Sequence, residues 1–375
     1  MDIQLIVSTN QNQRRLKNMN VNKLISISLI FLFFGVTGNA SGSDNCTTAP
    51  TSSLVVNVMD KGAKANGITD DTAAIQAAVN QVAGTGGTVL VPDGTYMIDA
   101  ITGIQIKSDM TLRMSRDTIL KALPNGKDNY NIINITGASN INVIDGTLIG
   151  ERDEHSGTTG EWGMGILLRD AANIVIEGVM AKNCWGDGFY IRGASKNVKF
   201  CSVIADNNRR QGMSIISVNG MVVKNSIFKN TGGTPPQAGI DLEPNDEDTI
   251  SNVQILNSQF SGNKGFGIQL YQGAKHSLIK NVTIDGNTIS NNIAGGIANL
   301  NSSDHRISNN LVKDNQHYGI RLSKGAKGNT VTGNKVTGEN GTRDEDGGNT
   351  VFDNSLDRNM NIIEKAFKKL SSRQG

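Results

Sequence analysis

Four short segments decide the fold: Gly165-Ile-Leu-Leu, Gly188-Phe-Tyr-Ile, Gly212-Met-Ser-Ile and Gly239-Ile-Asp-Leu. The pattern returns as Gly267-Ile-Gln-Leu, Gly296-Ile-Ala-Asn and Gly319-Ile-Arg-Leu, at successive spacings of 23, 24, 27, 28, 29 and 23 residues. Short strands that repeat every ~20–30 residues between glycine and asparagine turns indicate a stacked β-solenoid. A propeller or a sandwich also has many short strands, but neither predicts one register shared by all the repeats.

Alternation along these strands assigns their side chains to two faces. The residues predicted to point inward are Ile166, Phe189, Met213, Ile240, Ile268 and Ile320. The residues predicted to point outward are Leu167, Tyr190, Ser214, Asp241, Gln269 and Arg321. Because neighbouring coils are about 4.8 Å apart, outward residues at one register form a column on the surface.

Each repeat contains a second strand and a recurring asparagine. The second strands begin at Asn173, Asn197, Met221, Asn252 and Asn281. The recurring asparagine occupies positions Asn183, Asn207, Asn230, Asn263, Asn292 and Asn315. These asparagines predict one stack of side-chain amides that hydrogen-bond along the solenoid axis.

The N-terminus indicates an export signal. Lys23 precedes the apolar run Leu24–Val36, and small residues follow at Gly38 and Ala40. The run is too short for a comfortable transmembrane helix, although an uncleaved anchor is the alternative. We therefore expect a secreted protein, extracellular or periplasmic, cleaved near Ala40.

The remaining chain is divided by composition and pattern. Residues 41–53 are predicted to be a disordered linker, and residues 54–355 the β-helix catalytic domain. Residues 356–375 are predicted to form a C-terminal capping helix and tail, since Ile362, Ile363, Ala366, Phe367 and Leu370 follow a helical stripe.

Charge and cysteine content narrow the function classes. The formal net charge is +2, and without residues 1–40 it would be near −1. This balance predicts neither a nucleic-acid partner nor a membrane partner after processing, and it leaves monomer or homo-oligomer open. Cys46, Cys184 and Cys201 are too few for a disulfide framework and are predicted to be small buried apolar side chains.

The segment before the first repeat predicts an N-terminal capping helix and carries a family resemblance. Thr69-Asp70-Asp71 offers N-cap residues, and an apolar stripe follows at Ala74, Ile75, Ala78, Val79 and Val82. The flanking motifs are Val58-Met-Asp-Lys-Gly-Ala, Gly67-Ile-Thr-Asp-Asp-Thr and Gly87-Thr-Val-Leu-Val-Pro-Asp-Gly-Thr-Tyr. They resemble the pectate-lyase-like superfamily, which holds pectate lyases, polygalacturonase-type hydrolases, mannuronan epimerases and phage tailspikes.

The resemblance covers roughly residues 55–350. It implies an all-β fold, a single-stranded right-handed parallel β-helix. A looser likeness is to polysaccharide lyases that are encoded with bacterial biofilm-matrix genes. The shared motif belongs to the cap, so it implies the fold more strongly than the reaction.

Ionisable residues interrupt the bland repeat on three consecutive coils. We predict that Asp187, Arg210, Asp241 and Glu243 are catalytic. Asp241 and Glu243 are two residues apart on one strand, so they face the same way with backbone positions ~6.6–6.8 Å apart. The residues predicted to bind substrate are Trp185, Tyr190, Arg192, Arg209, Gln269 and Tyr271. A turn role for Asp187, and pairing of Arg210 with Asp206, are the alternatives.

Two enzymatic mechanisms fit this cluster. In a lyase, Asp241 and Glu243 hold Ca²⁺ that neutralises a uronate, and a base removes its C5 proton. The resemblance to pectate lyases places this base at Arg210, with Tyr190 as the reserve. In a hydrolase, two carboxylates act as acid and base or nucleophile.

The motifs of the resembling families favour some of these reactions over others. The Asp-Asp pair and histidine turn of polygalacturonases are missing, and Asp241-Leu-Glu243-Pro replaces the Asp-Pro-His-Glu run of mannuronan epimerases. The sequence therefore favours a lyase acting on an acidic polysaccharide, ahead of a hydrolase and an epimerase. A non-catalytic glycan-binding matrix protein is the alternative from a different class.

Overall fold

The computed structural model describes Cys46, residues 49–337 and residues 341–357. These residues form 34 short strands, a 3₁₀-helix (Val58–Lys61) and one α-helix, α1 (Thr72–Val82). The predicted signal peptide and the predicted C-terminal covering helix lie outside the described residues. Among the described residues, no helix combines the length and the apolar character that a membrane crossing requires.

The strands follow one another with short turns along the whole described chain. The first seventeen are β1 (Val55–Asn57), β2 (Asn66–Asp70), β3 (Thr88–Val91), β4 (Gly94–Ile98), β5 (Ile104–Gln105), β6 (Met110–Met114), β7 (Thr118–Ala122), β8 (Asn129–Thr136), β9 (Ser139–Ile144), β10 (Thr147–Ile149), β11 (Trp162–Arg169), β12 (Ala172–Glu177), β13 (Met180–Lys182), β14 (Phe189–Arg192), β15 (Lys196–Cys201), β16 (Ile204–Asp206) and β17 (Met213–Ile215). The others are β18 (Val218–Lys224), β19 (Ile227–Lys229), β20 (Ile240–Leu242), β21 (Thr249–Leu256), β22 (Gln259–Ser261), β23 (Phe266–Tyr271), β24 (Leu278–Asp285), β25 (Thr288–Ser290), β26 (Gly295–Leu300), β27 (Arg306–Ser308), β28 (Leu311–Lys313), β29 (Ile320–Leu322), β30 (Thr330–Thr332), β31 (Lys335–Thr337), β32 (Thr342–Asp344), β33 (Thr350–Phe352) and β34 (Ser355–Asp357).

From β3 onward, every third strand belongs to the same parallel sheet, so the chain winds as a solenoid. Sheet A has twelve strands in the order β1-β3-β6-β9-β12-β15-β18-β21-β24-β27-β30-β33. Sheet B has twelve, in the order β2-β4-β7-β10-β13-β16-β19-β22-β25-β28-β31-β34. Sheet C has ten, in the order β5-β8-β11-β14-β17-β20-β23-β26-β29-β32. This arrangement confirms the predicted parallel β-solenoid.

The predicted register is confirmed in sheet C. Ile166 pairs with Phe189, Phe189 with Met213, and Met213 with Ile240. The glycine before each of these strands lies where successive coils approach closely. A Cβ on Gly188 would be 2.8 Å from the carbonyl oxygen of Gly212, and one on Gly239 would be 2.6 Å from that of Gly267. A larger side chain would push the coils apart, which explains why glycine marks the repeat.

One continuous apolar core fills the space between the three sheets. All six residues predicted to point inward are fully buried. Phe228 and Phe260 stack with their ring centroids 5.2 Å apart and their planes 7° from parallel. Stacking of like side chains from coil to coil is what a shared register produces.

The recurring asparagines form two stacks, not the single stack predicted. Asn183, Asn207 and Asn230 have left-handed backbones, with φ of 54°, 53° and 58°. Asn263, Asn292 and Asn315 occupy the next position along the turn and are hydrogen-bonded to one another at 2.8 and 2.9 Å. The shift arises because Asn208 and Thr231 take that position in the earlier coils, where Thr231 N donates to Asn263.

Replacing Asn292 with Ala should lower the free energy of unfolding by at least about 2 kcal/mol. Asn292 is buried, and its Oδ1 accepts from both the backbone and the side-chain nitrogen of Asn263. The substitution leaves the backbone N–H of Asn263 without an acceptor, and Asn263 Nδ2 keeps only its hydrogen bond to the carbonyl oxygen of Phe228. The matched control is Asn281→Gly in the exposed ladder, where glycine keeps the left-handed backbone (φ 53°) and the cost should be under about 1 kcal/mol. Equal destabilisation in urea denaturation would contradict the account.

Helix α1 packs against β1, β3 and β5 at the start of the solenoid. Its buried face includes Ile75, Ala78, Val79 and Val82, as the apolar stripe predicts. Asp70 Oδ1 accepts from Thr72 N, whereas Asp71 accepts from the backbone of Lys64 and Ala65. The role of this helix as a cap stays a prediction.

The cysteine prediction is wrong for two of the three residues. Cys46 and Cys201 form a disulfide across 155 residues of sequence, and Cys184 is free and buried. Thr51 N and Ser52 N donate to the carbonyl oxygen of Gly86. The described part of the predicted linker is therefore held against the solenoid, because the disulfide and these hydrogen bonds join distant parts of the sequence that no local pattern connects.

Candidate active site

The four residues predicted to be catalytic form one cluster on the outer side of sheet C. Asp187 precedes β14, Arg210 precedes β17, Asp241 lies in β20 and Glu243 follows it. The pairing of Tyr190 with Ser214, and of Ser214 with Asp241, sets their relative register. The coil-to-coil alignment thus brings together residues that are more than 50 positions apart in sequence.

Arg210 lies at the centre of the cluster. Its Nη1 is 3.2 Å from Asp187 Oδ2, its Nε 3.5 Å from Glu161 Oε2 and its Nη2 4.0 Å from Glu243 Oε2. Burial alone would lower the pKa of Arg210, but the carboxylates of Asp187, Glu161, Asp241 and Glu243 raise it overall. Arg210 is therefore a firmly held cation, and the alternative pairing with Asp206 does not occur, since Asp206 contacts Lys229 at 3.3 Å.

Asp187 is a buried carboxyl group under Arg210. Ser214 Oγ donates to its Oδ2 at 2.7 Å, and Oδ1 has no hydrogen-bond partner among the described residues. Burial raises the pKa of Asp187 to about 6, although Arg210 and Ser214 act to lower it. Asp187 therefore changes protonation state in the mildly acidic to neutral range, which a simple turn residue would not do.

Asp241 and Glu243 form a carboxyl pair. Gln211 Nε2 donates to Asp241 Oδ2 at 2.8 Å, and Gln269 Nε2 donates to Oδ1 at 3.1 Å. Burial first, and then the charge of Glu243, raise the pKa of Asp241 well above its ordinary value. A buried acid that keeps its proton to higher pH than usual thus lies next to an acid with 35% of its side chain exposed.

The outward column is covered, contrary to the prediction of surface exposure. Tyr190, Ser214, Asp241 and Gln269 lie at the predicted register, yet all are buried. Arg210 bonds to Ser214, and Gln211 bonds to Asp241 from the preceding coil. Strand alternation assigns a face correctly but cannot show that side chains from the turns cover it.

The predicted Ca²⁺ site does not fit this donor set. Ca²⁺ requires about six to eight oxygen ligands. Both oxygens of Asp241 accept from amide nitrogens, and Gln211 cannot reverse its amide because its Oε1 accepts from Ala238 N at 2.8 Å. The Arg210 guanidinium lies beside Glu243. No group of three or more His, Cys, Asp and Glu side chains with metal-binding geometry occurs in the described part of the chain.

Trp185 is not available for sugar stacking. The ring of His155 is stacked on it with centroids 3.9 Å apart, and the guanidinium of Arg209 lies 3.8 Å from its centroid. Two groups at such distances must cover opposite faces of the indole. Arg209 also donates to the carbonyl oxygens of Gly160 and Trp185, so both predicted substrate contacts hold the loop before β11.

The other residues predicted to contact substrate lie in different surroundings. Tyr190 is packed against Met164 and Ile216, and burial raises its pKa. Arg192 is exposed at the end of β14, where it lies opposite Arg169 of the neighbouring strand β11. Gln269 and Tyr271 line a groove beside Glu243, as expected for substrate contacts.

This groove has a volume of about 430 Å³ and reaches the carboxyl cluster. Its walls include Pro235 and Pro236, in the loop between β19 and β20, and Leu300. Glu161 and Glu243 are the acids that line it, with 33% and 35% of their side chains exposed, and Arg210 lies between them. The arrangement offers a polymer two accessible carboxyl groups with a cation in the middle.

Three members of the cluster were not predicted from the sequence: Glu161, Gln211 and Ser214. Glu161 lies four residues before Gly165, whereas Asp187 and Arg210 lie one and two residues before their glycines. It therefore has no register in common with them. Ser214 lies in the outward column next to Asp241, and this position in the repeat could have identified it as a member of the cluster.

Asp187 should make the protein less stable as the pH rises from about 4 to 7. Its pKa is about 6 in the folded protein against an ordinary value of 3.8, so the folded state binds the proton more tightly. Its stabilising contribution is complete below pH ~4 and is lost as the pH rises through about 6. Relative to Asp187→Asn, the wild type should lose on the order of 2–3 kcal/mol over this range. A difference between the two proteins that is constant with pH in chemical denaturation would contradict this.

Comparisons with known proteins agree with the fold. Residues 236–367 match the family described as right-handed β-helix region, and residues 55–142 match that described as rhamnogalacturonase A/epimerase, pectate lyase-like. The Bacillus subtilis protein YclG is 29% identical over 281 residues, which are 65% of this chain and 47% of YclG. The mannuronan C5-epimerase AlgE5 of Azotobacter vinelandii is 28% identical over 236 residues, 58% of this chain and 23% of the epimerase. The chain thus spans half or less of the length of these relatives.

Solved structures share the architecture at low identity. The A-module of the A. vinelandii mannuronan C-5 epimerase AlgE4 has a TM-score of 0.60 at 22% identity, covering 80% of this chain and 95% of that one. The tailspike gp49 of Acinetobacter baumannii bacteriophage Fri1, a capsular polysaccharide depolymerase, has a TM-score of 0.55 at 16% identity (83% and 66% covered). The Streptococcus pneumoniae surface adhesin PfbA has a TM-score of 0.53 at 16% identity (81% and 91% covered). Together with the three parallel sheets, these matches show that the chain has a parallel β-helix fold.

Proposed function

We propose that this protein is an exported enzyme that hydrolyses glycosidic bonds of a polysaccharide. The observation that carries the proposal is the groove lined by Glu161 and Glu243, which lie on either side of Arg210, with the buried acid Asp241 beside Glu243. Glycoside hydrolysis requires a protonated and an ionised carboxyl group that flank the scissile bond. The epimerase and depolymerase among the similar proteins, which by their names act on polysaccharides, support the substrate class.

The groove suggests how the roles are divided. Glu243 delivers a proton to the glycosidic oxygen of the leaving sugar, and the bond between that oxygen and the anomeric carbon breaks. Glu161, on the other side of Arg210, takes a proton from the water whose oxygen bonds to the anomeric carbon. The net reaction adds one water to one glycosidic bond. Buried Asp241 acts through Glu243, and Asp187 and Ser214 hold Arg210 between the two exposed acids.

Three observations favour hydrolysis over the elimination predicted from the sequence. The acids do not offer a Ca²⁺ ligand set, since both carboxyl oxygens of Asp241 accept hydrogen bonds from side-chain amides. The pKa of Arg210 is raised, which makes it a poor base. The reserve base Tyr190 is buried with a raised pKa, so its phenolate is also disfavoured.

The proposal is tested by incubating the protein with a panel of acidic and neutral polysaccharides. Hydrolysis produces new reducing ends without ultraviolet absorbance, whereas elimination also produces an absorbing unsaturated uronate. We expect reducing ends alone. Unsaturated products would replace hydrolysis with the lyase mechanism, and binding without cleavage of any polymer would indicate a glycan-binding protein.

We further propose that the mature protein begins near Ser41 outside the cytoplasm. The disulfide Cys46–Cys201 supports this, because structural disulfides persist in oxidising compartments. In exported protein unfolded without a reductant, one thiol per chain, that of Cys184, should react with an alkylating reagent. Three reactive thiols, or an N-terminal sequence that starts at Met1 or at Met19, the methionine that precedes the apolar run, would reject the prediction.

A further inference from the structure

The column of outward residues continues beyond the acid cluster and changes sign. Gln269 pairs with Ala298, Ala298 with Arg321, and Arg321 with Arg343. At about 4.8 Å per coil, Arg321 lies ~14 Å from Asp241 along the axis. A polymer that follows the groove from Glu243 past Tyr271 therefore reaches two arginines after a few sugar residues.

The two arginines form a defined cluster with Tyr318 and Glu345. The guanidinium carbon of Arg321 is 5.1 Å from the centroid of the Tyr318 ring, and that of Arg343 is 5.9 Å from it. Both arginines contact the same Glu345 Oε1 through Nε, at 3.0 and 3.6 Å. One carboxylate thus serves two cations, and the cluster keeps one net positive charge.

Two opposed arginines should lower the stability of the fold when no anion is bound to them. Like charges on directly opposed positions of neighbouring strands are destabilising. Arg321 and Arg343 are so opposed, with 29% and 57% of their side chains exposed. Since Arg321 bonds Glu345 through Nε, its terminal nitrogens remain in position to donate to two oxygens of one anionic group, such as a carboxylate or a sulfate ester.

We propose that Arg321 and Arg343 form a distal subsite that binds an anionic substituent of the polysaccharide, and that Tyr318 orients the two guanidinium groups. This inference rests on the proposed function and names its substrate class: an anionic polysaccharide, charged by carboxylate or sulfate. The subsite also explains how an anionic polymer can bind in a groove where acids outnumber cations near Glu243. The anionic groups bind at the arginine end, away from the carboxyl pair.

The test measures binding separately from turnover, in the Glu243→Gln background. Affinity electrophoresis is run in gels that contain polygalacturonate (carboxylate), iota-carrageenan (sulfate) or dextran (neutral). We expect retardation by one of the two anionic polymers and not by dextran. Arg343→Gln and the double variant Arg321→Gln/Arg343→Gln should weaken this binding by at least about tenfold. The polymer that retards the protein distinguishes carboxylate from sulfate.

The matched control is Arg306→Gln, which removes the same charge from an exposed position on sheet A. It should bind as tightly as the parent protein, and all variants should remain folded at the temperature of the assay. Unchanged binding by folded Arg343→Gln and double variants, equal retardation by dextran, or no retardation by either anionic polymer would overturn the subsite. Anion binding lost in the variants, without cleavage of any polymer by the wild type, would reject the proposed function alone.

Discussion

Replacing Glu243 with Gln should lower the rate of polysaccharide cleavage by about 10²–10⁴-fold and leave the melting temperature nearly unchanged. Glutamine keeps the shape of the side chain but can neither accept nor deliver the proton of the pair. Glu243 is half-buried at the groove, and its contact with Arg210 is long, at 4.0 Å, so little stability depends on it. Rates are measured as reducing ends formed at saturating polymer.

The matched control for this variant is Asp246→Asn. Asp246 is an exposed acid three residues further along, which is paired with His276 at 3.0 Å and does not line the groove. It should retain wild-type activity. Asp241→Asn should be as severe as Glu243→Gln, because it removes the buried acid that shares the proton. If both the Glu243 and Asp241 variants remain active, the site lies elsewhere on the solenoid.

Replacing Arg210 with Ala should abolish activity and also destabilise the fold by about 3–5 kcal/mol. The guanidinium is the cation in contact with Asp187, whose carboxyl group is fully buried. Without it, Asp187 either ionises unpaired or stays protonated, and Glu161 loses the contact at 3.5 Å that places it. The free energy of unfolding near neutral pH measures the effect.

A double variant separates the two roles of Arg210. Arg210→Met combined with Asp187→Asn removes both charges and should recover much of the lost stability, because a neutral pair is tolerated where a lone charge is not. Activity should not return, since no cation then lies between Glu161 and Glu243. Recovery of activity in the double variant would show that Arg210 serves stability alone.

Most of the fold could be predicted because the solenoid is built from one local pattern. Each coil repeats a glycine, an inward apolar residue and an outward residue, so seven strands of sheet C could be aligned without knowledge of the structure. The asparagine turns were less certain. Asn230 and Asn263 look equivalent by spacing, but a shift of one residue places them in different stacks with opposite exposure.

Only those site residues that follow the repeat of sheet C could be predicted from the sequence. Register brought Asp241 and Glu243 together with Arg210, and it placed Gln269 and Tyr271 beside them. It could not place Glu161, which reaches the groove from the loop between β10 and β11, a connection without repeat symmetry. The same loop brings His155 onto Trp185, which removes that ring from the groove.

Burial decided the chemistry and was the least visible feature in the sequence. Asp241 was predicted to be an exposed metal ligand, and its neighbours in the column gave no contrary signal. Its partners Gln211 and Gln269 come from the coils on either side. Their amides replace the solvent and the ion that an exposed carboxylate would require.

The central claim is that the Asp241–Glu243 pair drives addition of water to a glycosidic bond. The most direct measurement is mass spectrometry of oligosaccharides released in ¹⁸O-enriched water by the wild type and by Glu243→Gln. The account predicts one ¹⁸O atom at each new reducing end in the wild-type products, and almost no products from the variant. Products that carry no ¹⁸O and are lighter by one water would contradict it, because they arise by elimination.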